Sequence, residues 1–313
     1  MKVLIIAPNT KKEVGGWGRY TYEVVEHLKK NGVEVTFDPK DTFDVVHALE
    51  MGSTFGIQAF KAVIGTRIPL ILSGVGTYSV APFTKWFKNL IMRIVVYRAA
   101  KIVCISDYTR DQIKKYVPHA PVETVLLGLS HMKSNTRKQV SNNPVVLTVG
   151  EVKNRKGQLD TFNAVIKLKE KYPNILYVVV GNLSDTYYVQ KIKDLGHSES
   201  IQMYEKIDDA ELASWYGAAQ VFCLNSNNDG FSHFEGFGLV ILEAGQFGVP
   251  SVGSRGCGIE SAIKEGENGY LAEQGNIDDI AEKIEKAILL DKEKVIKFAN
   301  TFDWNKTVKR YIE

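Results

Sequence analysis

The chain has 313 residues, of which 44% are hydrophobic and 24% are charged, the balance of an ordinary globular protein. This length is enough for two domains with their own hydrophobic cores. The balanced composition excludes fibrous and disordered classes. Lysine and arginine number 39 against 36 aspartates and glutamates, a net charge of +3, so no nucleic-acid partner is expected.

The cysteines and the apolar runs indicate the cellular compartment. Cys104, Cys223 and Cys257 lie far apart and form no C-x-x-C pair, which favours a reducing compartment over a disulfide framework or a zinc site. The first apolar run ends at Pro8 and is too short for the core of a signal peptide. No stretch approaches the ~18 apolar residues of a spanning helix. A cytoplasmic protein is therefore expected.

Short apolar runs alternate with helical patterns through the first part of the chain. The opening run is followed by two glycines and by an amphipathic helix over about 17–30. This alternation is typical of a parallel sheet with helices on both faces. The strands predicted here are 3–7, 33–37, 45–48, 70–72 and 102–105.

The polar segment 131–143 interrupts this pattern and indicates an interdomain linker. The alternation then restarts, so we expect two Rossmann-like, doubly wound domains, 1–140 and 141–301. Ligands bind beyond the carboxyl ends of the strands in open parallel sheets, so two such domains would hold the site in the cleft between them. The second part predicts strands 145–149, 176–180, 221–224 and 250–253, and helices 159–169, 210–218, 239–247 and 277–290.

The most informative segment is FEGFGLVILE, which carries Glu235 and Glu243 eight positions apart. Gly236 and Gly238 allow the backbone to approach a ligand closely. The helix that follows would present free N–H groups and the positive end of its dipole to an anion. Glu243, one turn into this helix, could accept hydrogen bonds from sugar hydroxyls. In the alternative interpretation, Glu235 only begins the helix and Glu243 is solvated.

This segment resembles the E-x7-E region of retaining GT-B glycosyltransferases, in particular those of family 4. The strongest match is GFGLVILEAGQFGVPSVGS, and the resemblance extends over most of the chain. The other matching segments are APNTKKEVGGWGRYTYEVVEHLKKNGVEV, DVVHA at 44–48, GTYS at 76–79, CISDYTRDQI at 104–113 and LTVGEVKNRKGQLD at 147–160.

The resemblance implies roles for the residues that match its motifs. Glu235 would contact the hydroxyls of the donor sugar, and Glu243 would bind the nucleotide ribose. The C-terminal stretch 302–313 would pack back on the N-terminal domain. The other matching positions would hold phosphate and sugar through their backbone, through close approach or through positive charge; they are Gly15, Gly16, Arg155, Lys156, Phe237, Gly238 and Leu239.

The charge requirement of the reaction supports the role of Arg155 and Lys156 independently. A leaving nucleoside diphosphate needs either a divalent ion or fixed cations and helix N-termini. The chain has no D-x-D triplet for a metal ion, and Arg155-Lys156-Gly157 directly after a strand supplies the alternative. No metal and no cofactor are therefore expected, the nucleotide sugar (such as UDP- or GDP-hexose) being a substrate. The alternative for this triplet is a solvated basic turn.

Two positions depart from the family pattern. Many members have a histidine near the reacting sugar where this chain has Val75, which puts the donor sugar in doubt. Many have an arginine after the strand glycine where this chain has Glu151, a position for which Arg155 in the same loop could compensate.

The segment 84–101, TKWFKNLIMRIVVYRAAK, has five basic residues, no acidic residue and an apolar stripe. A basic amphipathic helix with aromatic residues can lie on an anionic membrane surface, which would make the protein peripheral on the inner face of a membrane. The alternative is a helix that faces the core and has a solvated basic side.

The resemblance implies a retaining transferase that moves a hexose from a nucleotide diphosphate sugar to a hydroxyl of a glycan or a lipid-linked acceptor. The departures at Val75 and Glu151 motivate a second hypothesis, a non-catalytic GT-B subunit that binds a partner transferase or a nucleotide sugar. Epimerisation or phosphorolysis of the sugar nucleotide remains open, because a shared fold does not determine function.

Overall fold

The computed structural model describes residues 1–7, 15–133, 137–228 and 233–313. They form two compact units, each built on a six-stranded parallel sheet. The first unit comprises the described residues of 1–128 together with 233–237 and 303–313, and the second comprises those of 129–228 with 238–302. The predicted fold class, α/β with two doubly wound parallel sheets, is confirmed.

The strands are short and the helices between them have 7 to 16 residues. The strands are β1 Lys2–Ile6, β2 Glu34–Thr36, β3 Val45–Ala48, β4 Leu70–Gly74, β5 Lys101–Cys104, β6 Val122–Thr124, β7 Val145–Val149, β8 Leu176–Val180, β9 Ile201–Tyr204, β10 Val221–Leu224, β11 Ser251–Ser254 and β12 Gly269–Ala272. The helices are α1 Gly15–Lys30, α2 Ser53–Val63, α3 Trp86–Arg98, α4 Asp107–Lys114, α5 Gln158–Leu168, α6 Thr186–Lys193, α7 Asp209–Ala218, α8 Leu239–Gly245, α9 Ile277–Ile288, α10 Lys292–Ala299 and α11 Trp304–Ile312.

The first sheet has the strand order β2-β1-β3-β4-β5-β6. The chain moves to one side of β1 to form β2 and then to the other side to form β3, where Ile5 lies opposite His47. The strand order therefore reverses between β1 and β3. At such a reversal the loops on either side diverge and leave a crevice at the carboxyl ends of the strands.

The second sheet has the order β12-β11-β10-β7-β8-β9, so its reversal lies between β7 and β10. The sequences VVLTV of β7 and LYVVV of β8 are apolar without alternation because helices cover both faces of the sheet. Two buried polar side chains inside this core pair with each other: Tyr177 donates to Thr148 Oγ1 at 2.9 Å, and Thr148 donates to the carbonyl of Cys223 at 2.8 Å.

The C-terminal helix α11 packs within the first unit. Trp304, at its start, is 1% exposed and lies so close to Gly128 that a Cβ there would be 2.2 Å from the Trp304 nitrogen. Thr307 Oγ1 donates to the carbonyl of Leu126 at 2.8 Å, and the Arg310 guanidinium contacts the Glu123 carboxylate at 2.7 Å. The last helix is therefore held against the first sheet by packing and by hydrogen bonds.

The structure divides the chain after Gly128, whereas the polar composition places the domain boundary at 140/141. Contacts within the second unit account for the difference. The amide of Met132 donates to Gln246 Oε1 at 2.9 Å. The amide of Lys138 donates to the Ser214 carbonyl at 3.1 Å, and its ammonium pairs with Glu211 at 2.8 Å. Polar residues of the predicted linker thus attach to the second unit.

A helix can span a membrane only if it is long enough and apolar enough. The longest helix, α1, has 16 residues. In the part of the chain that the structure describes, no helix is both long enough and apolar enough to span a membrane.

Candidate functional site

The loop after β7 brings Arg155 and Lys156 to the carboxyl edge of the second sheet. They lie in a short 3-10 turn that ends at Gly157, and both side chains are half-buried. Gly157 has φ +68°, and a Cβ there would lie 1.8 Å from the carbonyl oxygen of Asn225. The Arg155 carbonyl accepts the Asn227 amide at 2.8 Å. The basic turn is therefore attached to the loop after β10, across the reversal of strand order.

The loop after β10 is hydrogen-bonded to the first turn of α5. Asn225 Nδ2 donates to Thr161 Oγ1 at 2.9 Å, and Asn227 Nδ2 donates to Asp160 Oδ2 at 2.7 Å. Both amides are thereby oriented. Asn225 Oδ1, Ser226 Oγ and Asn227 Oδ1 are buried without a hydrogen-bond partner among the described residues. Buried polar atoms are rarely left unpaired, so three in a row at the sheet edge indicate a place for ligand groups.

Helix α8 begins at the other side of the same strand end. Gly238 precedes it with φ +89°, and a Cβ there would lie 3.1 Å from Leu224 Cδ2 at the end of β10. Because Gly157 contacts Asn225 and Gly238 contacts Leu224, the end of β10 joins the basic loop to the start of the helix. The structure thus brings Arg155, Lys156, Gly238 and Leu239 to one edge of the second unit.

Glu243 lies in α8 and is only 2% exposed, so the interpretation of a solvated glutamate is wrong. The hydroxyl of the fully buried Tyr216 donates to its Oε2 at 3.0 Å. A carboxylate carried into the interior needs hydrogen-bond donors. Tyr216 supplies one and fixes the position of the side chain.

Glu151, one of the two departures from the family pattern, forms an ion pair with Lys153. The carbonyl of Glu151 accepts Gln158 Nε2 at 3.0 Å, which ties this residue to the start of α5. The negative charge in the loop of Arg155 is thus compensated within the loop itself.

Glu235 lies in the first unit, on the short segment 233–237. Phe234 anchors this segment, since its amide donates to Thr77 Oγ1 at 2.9 Å and its carbonyl accepts from the same hydroxyl at 3.1 Å. The Phe234 ring also lies on Tyr108, with centroids 5.0 Å apart. Glu235 is half-buried on this anchored segment, next to Phe237, which is 2% exposed.

Val75, which stands where many members of the family have a histidine, lies in a loop beside this segment. Gly76 has φ +91°, and a Cβ there would lie 3.2 Å from the Cα of Gly236. Val75 precedes Gly76, and its amide donates to Ser79 Oγ at 2.8 Å. The loop in which this chain has valine is therefore the loop that holds the backbone next to Glu235.

The glycine pair Gly15 and Gly16 begins α1, after β1 at the reversal of the first sheet. Among the described residues, a Cβ on Gly16 would meet nothing within 4 Å. The matching residues 8–14 lie outside the described part of the chain.

A carboxylate that the sequence analysis missed lies at the same reversal. Glu50 lies two residues after the end of β3 and is 3% exposed, and the Gly52 amide donates to its Oε1. Burial raises the pKa of Glu50 to about 7, against the smaller opposing effect of that amide. Nearby, the fully buried His47 hydrogen-bonds Ser73 Oγ through Nε2 at 2.8 Å, and burial with the charge of Lys101 lowers its pKa to about 3.

These two groups predict opposite contributions to the pH dependence of stability. Folded Glu50 binds a proton that the unfolded chain releases between pH 7 and 4.5, so its contribution to the free energy of unfolding rises as the pH falls. Between pH 6.5 and 3, His47 binds a proton in the unfolded chain but not in the folded state. Its contribution to the free energy of unfolding therefore falls as the pH falls. Each slope is at most about 1.4 kcal/mol per pH unit, and the two cancel between pH 4.5 and 6.5.

Chemical denaturation at several pH values checks this cancellation. The variant Glu50→Gln should lose stability steadily from pH 6.5 to 4.5 relative to wild type, by about 1 to 2 kcal/mol in total. The exposed Glu170→Gln should follow wild type. Parallel curves for Glu50→Gln and wild type would contradict the assignment.

Residues 132–306, more than half of the chain, match the model of the family described as glycosyl transferases group 1. The GDP-mannose-dependent alpha-(1-6)-phosphatidylinositol monomannoside mannosyltransferase of Mycolicibacterium smegmatis is 26% identical over 192 residues, which cover 57% of this chain and 50% of that protein. The chain spans about half the length of the curated relatives it matches.

Solved structures are similar over nearly the full chain. Sucrose-phosphate synthase from Thermosynechococcus elongatus has a TM-score of 0.80 at 15% identity, covering 99% of this chain and 97% of that chain. The Anabaena protein HepE in complex with UDP-glucose has a TM-score of 0.74 at 17% identity, covering 100% of this chain and 98% of that chain. At these identities the likeness shows the fold, and it confirms the predicted GT-B fold.

Proposed function

Because the chain belongs to the family of glycosyl transferases group 1, we propose that it transfers a hexose from a nucleoside diphosphate sugar to a hydroxyl of an acceptor. The observation that carries the proposal is the carboxyl edge of the second sheet. There three backbone segments meet at the end of β10 through Gly157, Asn225 and Gly238, beside two cations and three buried oxygens that have no partner in the described part of the chain. A nucleoside diphosphate offers both the negative charge and the N–H and O–H donors that such an edge requires.

Each group at this edge, and Glu235 on the segment 233–237 of the first unit, has a role in the proposal. Arg155 offers a planar fork to the phosphate oxygens, and Lys156 offers a point charge. The unpaired oxygens of Asn225, Ser226 and Asn227 accept donors of the nucleoside. Glu243, held by Tyr216, accepts the ribose hydroxyls, and Glu235 accepts the hydroxyls of the donor sugar.

We propose that the reaction retains the anomeric configuration by substitution on one face of the sugar. The bond between the anomeric carbon and the diphosphate oxygen breaks, and the acceptor oxygen bonds to the same carbon on the same face. The acceptor proton passes to a phosphate oxygen of the leaving group. The protein orients the two substrates and stabilises the charge that collects on the diphosphate.

The names of similar proteins support the choice of substrates. The Mycolicibacterium relative is named for GDP-mannose and for a phosphatidylinositol monomannoside, and the Anabaena structure contains UDP-glucose. We accordingly propose a UDP- or GDP-hexose donor and a glycan or lipid-linked acceptor for this chain.

A thermal-shift screen with UDP-, GDP- and ADP-sugars tests the proposal. A ligand that binds only the folded state stabilises it by about 2.7 kcal/mol at a concentration of 100 Kd. We expect one nucleotide series to raise the midpoint and the other two to leave it nearly unchanged. Slow hydrolysis of that donor without an acceptor would identify an enzyme, whereas binding without hydrolysis would favour the non-catalytic subunit. No shift with any nucleotide sugar would overturn the proposal.

Removal of metal ions tests the role given to Arg155 and Lys156. If these two side chains neutralise the leaving diphosphate, excess EDTA should change the rate of donor hydrolysis by less than about twofold. An assay with added Mg²⁺ or Mn²⁺ provides the comparison. A strict requirement for either ion would assign the charge stabilisation to a metal instead.

A further inference from the structure

Helix α3 exposes an apolar face to solvent. Because an α-helix turns about 100° per residue, its five exposed apolar positions fall within one arc of about 100°. On the opposite side, Met92, Val95 and Val96 are buried in the first unit. The exposed fractions along the arc are 84% for Trp86, 58% for Phe87, 61% for Leu90, 56% for Ile94 and 48% for Tyr97.

Only one side of α3 is therefore buried against the core of the first unit. A monomer rarely exposes a contiguous apolar patch of this kind, and such patches mark interaction sites. The Trp86 and Phe87 rings contact each other with centroids 5.7 Å apart, so the patch begins with an aromatic pair. Trp and Phe on the apolar face are characteristic of helices that lie in a membrane interface.

The sequence segment that contains α3 is one-sided in charge. Between Met51 and Ser106 the chain has seven lysines and arginines and no acidic residue, whereas the rest of the chain has 32 basic and 36 acidic residues. On α3 itself, Arg93 and Arg98 border the apolar arc on either side. Arg98 is held there because it donates to the carbonyls of Thr66 and Ile68, each at 3.0 Å.

We infer that α3 docks on an anionic lipid bilayer, with its axis in the plane of the interface and its apolar arc among the acyl chains. Charge complementarity selects this occupant. Anionic headgroups attract a helix that carries Lys88, Arg93 and Arg98 and no acidic residue, whereas a second copy would oppose like charges across the same face. This partner goes beyond the proposed transfer reaction, and it would bring a lipid-linked acceptor within reach.

Sedimentation with vesicles tests the inference. The full chain should pellet with phosphatidylcholine vesicles that contain phosphatidylglycerol and should stay in solution with phosphatidylcholine alone. Raising the salt from about 0.1 M to about 1 M, which shortens the Debye length from about 10 Å to about 3 Å, should release it. Equal partitioning to both kinds of vesicle, or to neither, would overturn the inference.

Substitutions in exposed positions separate docking from folding. Trp86→Ser with Leu90→Ser should lower the partition coefficient by about tenfold or more because two apolar side chains no longer leave water. The matched control is Tyr187→Ser with Leu289→Ser, two apolar side chains of the second unit that are 72% and 83% exposed. It should pellet like wild type. An equal loss in both double variants would contradict a role for α3.

Two further measurements distinguish the remaining outcomes. Quenching of tryptophan emission by brominated lipid should fall strongly in Trp86→Phe, since Trp215 and Trp304 are buried and Trp17 is half-buried against Tyr78. A dimer without vesicles that is lost in Trp86→Ser with Leu90→Ser would assign the face to a second copy and overturn the inference. The nucleotide-dependent thermal shift should be the same in all these variants, so failure of docking is distinct from failure of the proposed activity.

Discussion

Replacing both Arg155 and Lys156 by alanine should slow sugar transfer about a thousandfold. The leaving diphosphate gains negative charge as its bond to the sugar breaks, and removal of a single preorganised donor from a comparable site costs about 10²–10³ in rate. The loop itself should remain folded, because its attachment depends on Gly157 and on the backbone bond between Arg155 and Asn227. The measurement is kcat with the donor found in the thermal-shift screen.

Single variants and a matched control make this result specific. Arg155→Lys should lose part of the rate, since lysine keeps the charge but not the planar fork. Lys167→Ala removes an equivalent charge from α5, where the side chain is exposed and pairs with Asp278, and it should leave kcat unchanged. If the double variant kept the wild-type rate, these cations would not contact the diphosphate.

The second large effect is expected for Glu243→Gln, which should raise the Kd for the donor about 10- to 100-fold. Hydrogen bonds to a charged group contribute about 1.5–3 kcal/mol, and glutamine keeps the shape but not the charge. The Gln carbonyl can still accept the Tyr216 hydroxyl, so folding should be little affected. Calorimetric titration with the nucleoside diphosphate measures the change.

Tyr216→Phe separates binding from a purely structural role of Glu243. It removes the hydroxyl that donates to Glu243 and leaves the carboxylate in place. We expect a Kd within about threefold of wild type. If Tyr216→Phe and Glu243→Gln weakened the donor equally, the carboxylate would serve mainly to satisfy the tyrosine.

The strands at the centre of each sheet could be predicted from the sequence. The apolar runs 145–149, 176–180 and 221–224 coincide with β7, β8 and β10. Such strands are buried on both faces and read as continuous apolar runs. β6, β9 and β12 were not predicted, and all three lie at sheet edges. The sequence VET of β6, half-buried throughout, lacks the apolar run on which the prediction depends.

Residues of the candidate site could be predicted only where a short segment of sequence carried a recognisable pattern of charges or glycines. Arg155 and Lys156 lie in the loop that follows a strand, and the glycines around Phe237 mark a close backbone approach. Glu50 was missed because a single glutamate after a strand looks like any surface residue, and its burial depends on how the first sheet is assembled.

The polar loop after β10 was missed for a related reason. The run Asn225–Asn228 follows a buried strand, which is a signal that sequence reasoning could have used. That side-chain oxygens of Asn225, Ser226 and Asn227 have no partner among the described residues, however, depends on contacts with α5 and with Arg155, which are distant in the chain.

A crystal structure with the nucleoside diphosphate that most stabilises the fold would test the central claim most directly. The account predicts the pyrophosphate at the carboxyl edge of the second sheet, with nitrogen atoms of Arg155 and Lys156 within hydrogen-bond distance of its oxygens. The N–H and O–H groups of the nucleoside should donate hydrogen bonds to the side-chain oxygens of Asn225, Ser226 and Asn227. A diphosphate bound elsewhere, with both basic side chains turned away from it, would contradict the account.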